Sequence, residues 1–343
     1  MEVSTIGIDL AKHVFQVHGV DEAGAVVLRR RLRRGEVVAV FSELAPCLIG
    51  MEACASAHHW ARELSALGHE VRLMPPSYVK PYVKRQKNDA ADAAAICEAV
   101  RRPSMRFVAV KTAEQQAVLM LHRSRDLLVR QRTMLVNALR AHCAEFGVIA
   151  AQGRAGVGRL LAAIEAGDMQ ALPEPARGAL SLLGAQLREA DARIKALEDE
   201  IRAWHRASPA SRRLAAIPGI GPITASALAA TVGDARQFRS GRELAAWLGL
   251  VPRQASTGGK PRLGPISKQG DRYLRRLLVI GATAVLRHPK LRARAGGPWL
   301  KALLARRPAR VATVALANKN ARIAWALLAR EEHYRARPTG AAA

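Results

Sequence analysis

The sequence predicts an N-terminal α/β domain followed by a mainly helical region. Three observations carry this prediction. Short apolar runs alternate with helical segments up to about residue 110, helical patterns dominate after Thr112, and an uninterrupted heptad seam begins at Leu180. With 343 residues, of which 50% are hydrophobic, the chain is long enough for two or three domains and a substantial core.

The elements of the α/β domain follow from apolar runs that are bounded by turn residues. In order, they are a strand at 5–9, its hairpin partner at 13–18, a helix at 36–44, a strand at 47–51, a helix at 57–67 and a strand at 70–74. Because the elements alternate, we expect acidic residues at the strand ends to lie along one edge of a sheet.

Four acidic residues stand at these strand ends and on a nearby helix. Asp9 ends the first apolar run and Glu52 closes another, while Asp89 and Asp92 lie three apart among strong helix formers and so share one helical face. Carboxylates that are packed together repel each other, whereas hard divalent cations would hold them ionised. We therefore expect a Mg²⁺ site of the kind that phosphoryl transfer on nucleic acid uses. The alternative is that these acids are helix caps and solvated charges.

The charge balance indicates a polyanionic partner. The chain has 54 Lys and Arg residues against 28 Asp and Glu, a net charge of +26, and residues 251–343 hold 20 of the basic and 3 of the acidic residues. Part of the arginine excess can also reflect a GC-rich source. The run from Arg29 to Arg34 is either a solvated strand edge that blocks aggregation or a strip that contacts phosphates, and the sequence leaves both open.

Several classes of protein are excluded. Met1–Thr5 lacks the basic start of a signal peptide, and the apolar stretch between Arg276 and Arg287 is too short to span a bilayer. The four cysteines form no Cys-x-x-Cys pair, the histidines form no zinc-ligand pattern, and no phosphate-binding P-loop is present. We expect reduced thiols in a cytoplasmic protein without a membrane partner.

From Thr112 the pattern is helical. Thr112 and Gln115 predict a capping box for a helix that ends near Phe146, and a Gly- and Pro-rich linker with short helices follows. The next helix carries apolar residues spaced alternately three and four apart: Leu180, Leu183, Leu187, Ala190, Ile194, Leu197, Ile201 and Trp204. This seam could pair with another subunit, which we favour, or fold back on the helix that begins at Thr112.

The C-terminal region contains two candidate phosphate-binding segments. Residues 214–225 resemble a helix-hairpin-helix, in which amide groups near Gly219 and Gly221 would bind a phosphate; a Pro-Gly turn between buried helices would look similar. A helix at 243–248 and a loop rich in glycines, hydroxyls and cations follow. That loop could place Lys260, Arg262 and neighbouring cations around a phosphodiester, with Ser256 as the nucleophile, although Ser256 could also be an ordinary turn residue.

Together these segments resemble the insertion sequence 110 family of transposases, which includes the pilin-gene invertase relatives. The resemblance covers nearly the whole chain in the same order. It rests on Gly7-Ile8-Asp9-Leu10-Ala11-Lys12, Met51-Glu52-Ala53, Lys87-Asn88-Asp89-Ala90-Ala91-Asp92-Ala93, Ile217-Pro218-Gly219-Ile220-Gly221, Ser256-Thr257-Gly258-Gly259-Lys260 and Ser267-Lys268-Gln269-Gly270-Asp271.

The resemblance implies the domain organisation. It comprises a ribonuclease H-like (RuvC-like) domain over 1–150, a linker over 151–177, a coiled coil over 178–206, a transposase domain with a helix-hairpin-helix and a serine loop over 207–334, and a disordered tail over 335–343. It also implies that Asp9, Glu52, Asp89 and Asp92 bind Mg²⁺ and that Ser256 forms a covalent link to DNA, with the Thr257 hydroxyl beside it as the possible alternative.

The partners that the resemblance implies are donor DNA, target DNA and a structured noncoding bridge RNA that pairs with both. A homo-oligomer, dimer or tetramer, would work at the bacterial nucleoid. The nucleic-acid contacts expected are Lys12, Arg253, Lys260, Arg262, Lys268, Arg272, Arg275, Gly219 and Gly221. Two alternatives stay open: a metal-dependent junction-resolving nuclease, and a nucleic-acid-binding scaffold without activity.

Overall fold

The computed structural model describes residues 2–83, 88–169 and 172–335. Contacts divide the chain into two units, Met1–Gln116 and Ala117–Ala343. The first unit contains the sheet, whereas the sequence predicts a first domain that runs to residue 150. Apart from Arg335, the predicted disordered tail lies outside the described residues.

The first unit is the predicted α/β domain. Its elements are β1 (Thr5–Leu10), β2 (Val14–Val20), β3 (Val26–Arg33), α1 (Val37–Ser42), β4 (Leu48–Glu52), α2 (Ala57–Ala66), β5 (Glu70–Met74), α3 (Pro76–Val79) and α4 (Asp89–Val100), with short 3-10 helices at Arg34–Glu36 and Lys80–Tyr82. The predicted strands and helices are confirmed to within a few residues, because each apolar run ends at a turn residue or a proline.

These strands form one mixed sheet in the order β3-β2-β1-β4-β5. β1, β2 and β3 pair antiparallel, whereas β4 pairs parallel with β1 and with β5. One face of the sheet packs against α1 and α2, in a core that contains Phe15, Phe41 and Trp60. The opposite face carries α4, whose Ile96 and Val100 are buried in a second cluster. The carboxyl ends of β1 and β4 therefore lie at one edge of a sheet that is covered on both faces.

The second unit is mainly helical. Its elements are most of α5 (Ala113–Ala144), then α6 (Arg154–Ala166), α7 (Glu174–Ala207), α8 (Pro209–Ala215), α9 (Pro222–Val232), α10 (Gly241–Trp247), β6 (Pro252–Gln254), β7 (Leu263–Ile266), α11 (Arg272–Arg287), α12 (Pro289–Arg306) and α13 (Ala309–Ala329), with a short 3-10 helix at Ala235–Gln237. No helix among the described residues combines the length and the apolar character needed to span a bilayer.

The start of α5 is the capping box that the sequence predicts. The Thr112 amide donates to the Gln115 side-chain oxygen (2.9 Å), and the Gln115 amide donates to the Thr112 hydroxyl (3.1 Å). Two amide groups that the helix itself cannot bond are thereby satisfied.

The heptad seam of α7 is buried within its own chain. Leu180 and Leu187 pack against Leu139 and Cys143 of α5, in a cluster that also contains Leu160 of α6. The sequence leaves two partners open for this seam, and the structure shows the fold-back on α5. The side chains that would pair with another subunit are already covered, which corrects the expectation of self-association through this seam.

Ion pairs join the same two helices. Arg125 on α5 donates to Glu198 on α7 (2.9 and 2.6 Å), and Arg132 donates to Asp191 (3.2 Å). The pairs stand beside the apolar seam, and such partly exposed pairs contribute at most about 1 kcal/mol each to the packing of α7 on α5.

The segment expected to be an irregular loop contains a small hairpin. β6 and β7 pair antiparallel, with Pro252 opposite Ile266 and Gln254 opposite Leu263. The alternation of a hairpin is hidden in the sequence because these strands have almost no buried face.

Candidate metal centre and serine loop

Asp9 and Glu52 lie on neighbouring strands at the same edge of the sheet. β1 and β4 are parallel and pair Ile8 with Met51, so the next step along both strands brings Asp9 level with Glu52. Residues that are level in a parallel pair project to the same face of the sheet. Both acids are half-buried.

That face is the one that carries α4, and two glycines allow the helix to approach. A Cβ atom on Gly7 would lie 2.2 Å from the Ala93 carbonyl oxygen, and one on Gly50 would lie 2.7 Å from the Val100 side chain. Gly7 precedes Asp9 by two residues, and Gly50 precedes Glu52 by two. Since side chains two apart in a strand share a face, both acids project toward α4.

The first turn of α4 brings the other two acids to this edge. Asn88 caps the helix through its side-chain oxygen, which accepts a hydrogen bond from the Ala91 amide (2.8 Å). Asp89 and Asp92 follow in the first turn, where negative charge is favourable at a helix N-terminus. Sequence reasoning missed the roles of Gly7 and Asn88, although an Asn directly before a helical acid pair is a recognisable cap signal.

Three of the four predicted ligands form one group. Carboxylate oxygens of Asp9, Asp89 and Asp92 all lie within 4.8 Å of one another. Glu52 is not a member of this group, although it is adjacent to Asp9 by strand register. Burial raises the pKa of the Cys54 thiol, and the negative charges of Glu52 and Asp9 raise it further.

The donor set fits a hard divalent cation. Carboxylate oxygens are the ligands that Mg²⁺ and similar ions prefer, and a cation would offset the repulsion among three carboxylates within 4.8 Å. Asp9, Asp89 and Asp92 would hold the ion.

Ser256 lies in the second unit, two residues after the end of β6, and is exposed. Its hydroxyl oxygen accepts hydrogen bonds from the Arg262 amide (3.0 Å) and from the Gln254 side-chain amide (3.2 Å). Two N–H donors on this oxygen would stabilise it as it becomes negative. Thr257, its neighbour, is instead part of the turn, where its carbonyl accepts from the Lys260 amide (3.1 Å).

The predicted cations around Ser256 fall into two groups. Five are exposed, of which four have side chains that can reach a phosphate: Lys260, Arg262, Lys268 and Arg272. The other two bind backbone carbonyl groups, since Arg253 donates to Ser267 and Arg275 donates to Leu248 (3.0 Å) and Gln269 (2.6 Å). These two fix the base of the hairpin. Lys12, in the first unit, is exposed in the turn after β1.

The turn between α8 and α9 contains both predicted glycines. Gly219 has a φ of +90° and packs against the backbone of Gly281 on α11, where a Cβ on Gly281 would lie 1.8 Å from the Gly219 carbonyl oxygen. Gly221 caps α9 without a side-chain hydrogen bond, and a Cβ there would meet no heavy atom within 4 Å. The backbone of the turn is therefore packed against α11 at Gly219, whereas there is space beside Gly221.

Two family models match parts of the chain. A family model described as "Transposase IS116/IS110/IS902 family" matches residues 211–296, and a transposase model of the Asp-Glu-Asp-Asp type matches residues 6–147. The second match spans all four acids of the candidate metal centre, and the first spans the α8–α9 turn and Ser256. The match to the model of the Asp-Glu-Asp-Asp type and the grouped carboxylates together indicate a divalent metal.

Three relatives align over almost the whole chain. A protein of Pseudomonas aeruginosa named "Probable family 20 transposase" is 58% identical, with 98% of this chain and 99% of that protein aligned. The transposase for insertion sequence element IS1111A of Coxiella burnetii is 44% identical over 97% of this chain and 92% of its own length. The transposase for IS1328 of Yersinia enterocolitica is 42% identical over 94% and 96%. The chain therefore belongs to the transposase IS116/IS110/IS902 family, a family of enzymes that cleave and rejoin DNA.

Proposed function

We propose that this transposase recombines an insertion sequence with its target by Mg²⁺-dependent strand transfer through a covalent serine–DNA link. The observation that carries the proposal is the convergence of Asp9, Asp89 and Asp92 within 4.8 Å. The sheet order, in which an antiparallel trio is extended by two parallel strands, supports a ribonuclease H-like (RuvC-like) assignment for the first unit.

The chemistry divides between the carboxylates and Ser256. A divalent cation bound by the carboxylates would stabilise the negative charge that develops on the scissile phosphate. The Ser256 Oγ attacks the phosphorus and loses its proton, the bond between phosphorus and the leaving deoxyribose oxygen breaks, and that oxygen takes up a proton. The phosphoserine ester conserves the energy of the broken bond, so that attack by another strand's hydroxyl can reverse the step and reseal DNA.

The amide donors of Arg262 and Gln254 support Ser256 as the nucleophile, because they already bind its oxygen. Exposed Lys260 and Arg262 would hold the phosphate beside it, and amide groups at Gly221 would bind another phosphate if the α8–α9 turn acts as a helix-hairpin-helix.

A structured bridge RNA would supply sequence choice. The chain offers strong phosphate-binding charge, with a net charge of +26, but its sequence contains no zinc finger or other base-reading motif. Delegation of recognition to base pairing fits this composition. We also propose that a dimer or tetramer at the nucleoid assembles the several active sites that strand exchange needs, through a surface other than the α7 seam.

Trapping of the covalent intermediate tests the proposal. Purified protein with its RNA and end-labelled DNA is quenched with detergent, and protein-linked DNA is counted. We expect the adduct with wild type and with Thr257→Val, and none with Ser256→Ala or Asp9→Asn. A junction-resolving nuclease would instead keep cutting as Ser256→Ala, and an inactive scaffold would show the same cellular phenotype with Asp9→Asn as with wild type. Recombination that needs no RNA would overturn the proposal that a bridge RNA selects the DNA sequence.

A further inference from the structure

The arginines of β3 are divided between the two faces of the sheet. β3 is an edge strand, and successive side chains in a strand point to opposite faces. Arg29, Arg31 and Arg33 thus share one face, while Arg30 shares the other with Leu32. Leu32 is buried in the core beneath α1 and α2, so the three odd-numbered arginines lie on the opposite face, and all three are exposed.

Strand register shows that this opposite face is the one with the metal centre. Arg31 pairs with Gln16 on β2, and Gln16 pairs with Asp9 on β1. One row below, Arg29 pairs with His18, which pairs with Gly7. The pKa of His18 is lowered first by burial and then by the positive charge of Arg29, which agrees with their position on one face.

The spacing suits a nucleic-acid strand. Arg31 is two strands from Asp9, a distance of about 10 Å between backbones at the usual strand spacing. Along β3 the three arginines repeat every two residues, about 6.7 Å apart, which is comparable to the distance between successive phosphates of a single strand. A single strand of nucleic acid that lies along the arginines therefore has its phosphate backbone close to the carboxylates.

The three guanidinium groups keep their charge available. Within the described residues, none of them forms an ion pair with a carboxylate, unlike Arg72 or Arg102 in the same unit. Arg34, the last member of the run, differs because its guanidinium lies over the Trp60 ring, 5.2 Å from the centroid. Charges that protect an edge strand from aggregation do not need to lie on the face of the candidate metal centre.

We propose that Arg29, Arg31 and Arg33 form a phosphate track that guides the DNA strand into the Asp9, Asp89 and Asp92 group. The track rests on the proposed function, because it assumes that a DNA phosphodiester is the substrate of those carboxylates. The first unit would then bind the DNA strand that is cut through these arginines, in addition to the cations around Ser256 in the second unit.

Arg30 provides a control on the other face of β3 for a test of this track. Arg29→Gln/Arg31→Gln/Arg33→Gln protein is compared with Arg30→Gln, which changes the same strand on the other face. Binding of a single-stranded DNA 20-mer to the full-length protein is measured in EDTA over a range of salt, so that no metal chemistry contributes. We expect the triple variant to reduce the slope of log K against log salt by about 2, since each phosphate contact of a single strand contributes about 0.7, and Arg30→Gln to leave it nearly unchanged.

Cys54 offers a local readout that other basic surfaces cannot mask. It is the exposed cysteine beside Glu52, whereas Cys47, Cys97 and Cys143 are buried. A photo-crosslinker attached to Cys54 should capture the DNA in wild type and Arg30→Gln protein, and the yield should fall at least fivefold in the triple variant.

Equal slopes and equal crosslinking in the triple variant and Arg30→Gln would overturn the track, while the adduct assay would still decide the proposed function separately. A loss confined to an RNA 20-mer of the same sequence would likewise overturn the assignment to DNA. Conversely, an active Asp9→Asn protein would refute the metal chemistry, and a track effect in EDTA would not rescue it.

Discussion

Gly7 on β1 and Ala93 on α4 are in backbone contact beneath the candidate metal centre. A Cβ atom on Gly7 would lie 2.2 Å from the Ala93 carbonyl oxygen and 2.4 Å from the Cys97 amide nitrogen. Both obstacles are backbone atoms, so relief requires movement of the helix rather than of a side chain. The distance from Asp9 to the acids of α4 thus depends on a residue with no functional group.

The first prediction is that Gly7→Ala separates the carboxylates. We expect a loss of about 1–3 kcal/mol or more in the free energy of unfolding, as for other overpacked cores, together with much weaker Mn²⁺ binding. Urea unfolding and titration with Mn²⁺ measure the two effects. Gly35→Ala is the control, because a Cβ there meets nothing within 4 Å. Gly7→Ala protein with wild-type metal affinity would contradict the dependence on helix position.

The second prediction concerns Asp92→Asn and metal-dependent stability. Mg²⁺ at 100 times its dissociation constant should stabilise the wild type by about 2.7 kcal/mol. In Asp92→Asn most of that increase should disappear, because one of three grouped ligands is weakened. Without metal, the variant should stay within about 1 kcal/mol of wild type, since relief of repulsion offsets the helix-dipole contribution of about 0.3–1 kcal/mol.

Thermal unfolding with and without Mg²⁺ distinguishes these two effects. Glu22→Gln, an exposed acid in the turn after β2, should keep the full metal effect. If Asp92→Asn kept it as well, the carboxylate group would not be the metal site.

The third prediction follows from the burial of the α7 seam within one chain. Leu187 is 1% exposed, and Leu187→Ala should lower the free energy of unfolding by about 2–5 kcal/mol at every protein concentration. Leu182→Ala, at a position 70% exposed on the same helix, should change it by less than about 0.5 kcal/mol. An unfolding midpoint that rises with protein concentration in wild type and not in Leu187→Ala would show that the seam pairs subunits.

This seam illustrates how much of the fold the sequence predicts. The spacing from Leu180 to Trp204 predicts a long helix with one apolar stripe, and α7 is that helix. A stripe does not specify what covers it, because any second stripe of matching length satisfies the same burial. The partner is fixed by Leu139 and Cys143 on α5 and by the Arg125–Glu198 pair, and sequence spacing does not reveal these long-range contacts.

The candidate metal centre was open to prediction for a different reason. Asp9 and Glu52 stand at strand ends and Asp89 and Asp92 at a helix start, positions that local patterns identify well. Their convergence depends on how closely α4 approaches β1. That approach is possible because Gly7 has no side chain. The sequence therefore predicts the ligands better than their distances, and it does not distinguish Glu52 from the three acids that group together.

A buried histidine in the second unit links three helices. His122 on α5 is 1% exposed, its Nε2 lies 3.1 Å from the Ser226 hydroxyl of α9, and its Nδ1 lies 3.1 Å from the Tyr273 hydroxyl of α11. The Ser226 hydroxyl donates to the Pro222 carbonyl (2.7 Å), so Ser226 accepts from Nε2–H, and Tyr273 donates to Nδ1. Such a network holds a neutral imidazole.

The last prediction is that His122 makes the protein less stable as the pH falls. Burial, followed by the charge of Arg125, lowers the pKa of His122 from 6.5 to about 4. Between these values the unfolded chain binds a proton that the native protein does not, so stability is full above pH 6.5 and falls until pH 4, by about 3 kcal/mol. His122→Gln should cost stability at pH 7 but flatten this decline, as measured by urea unfolding at pH 7, 5.5 and 4.5. His333→Gln, at an exposed position, should leave the decline intact. An equally steep decline in His122→Gln would mean that His122 is not the group responsible.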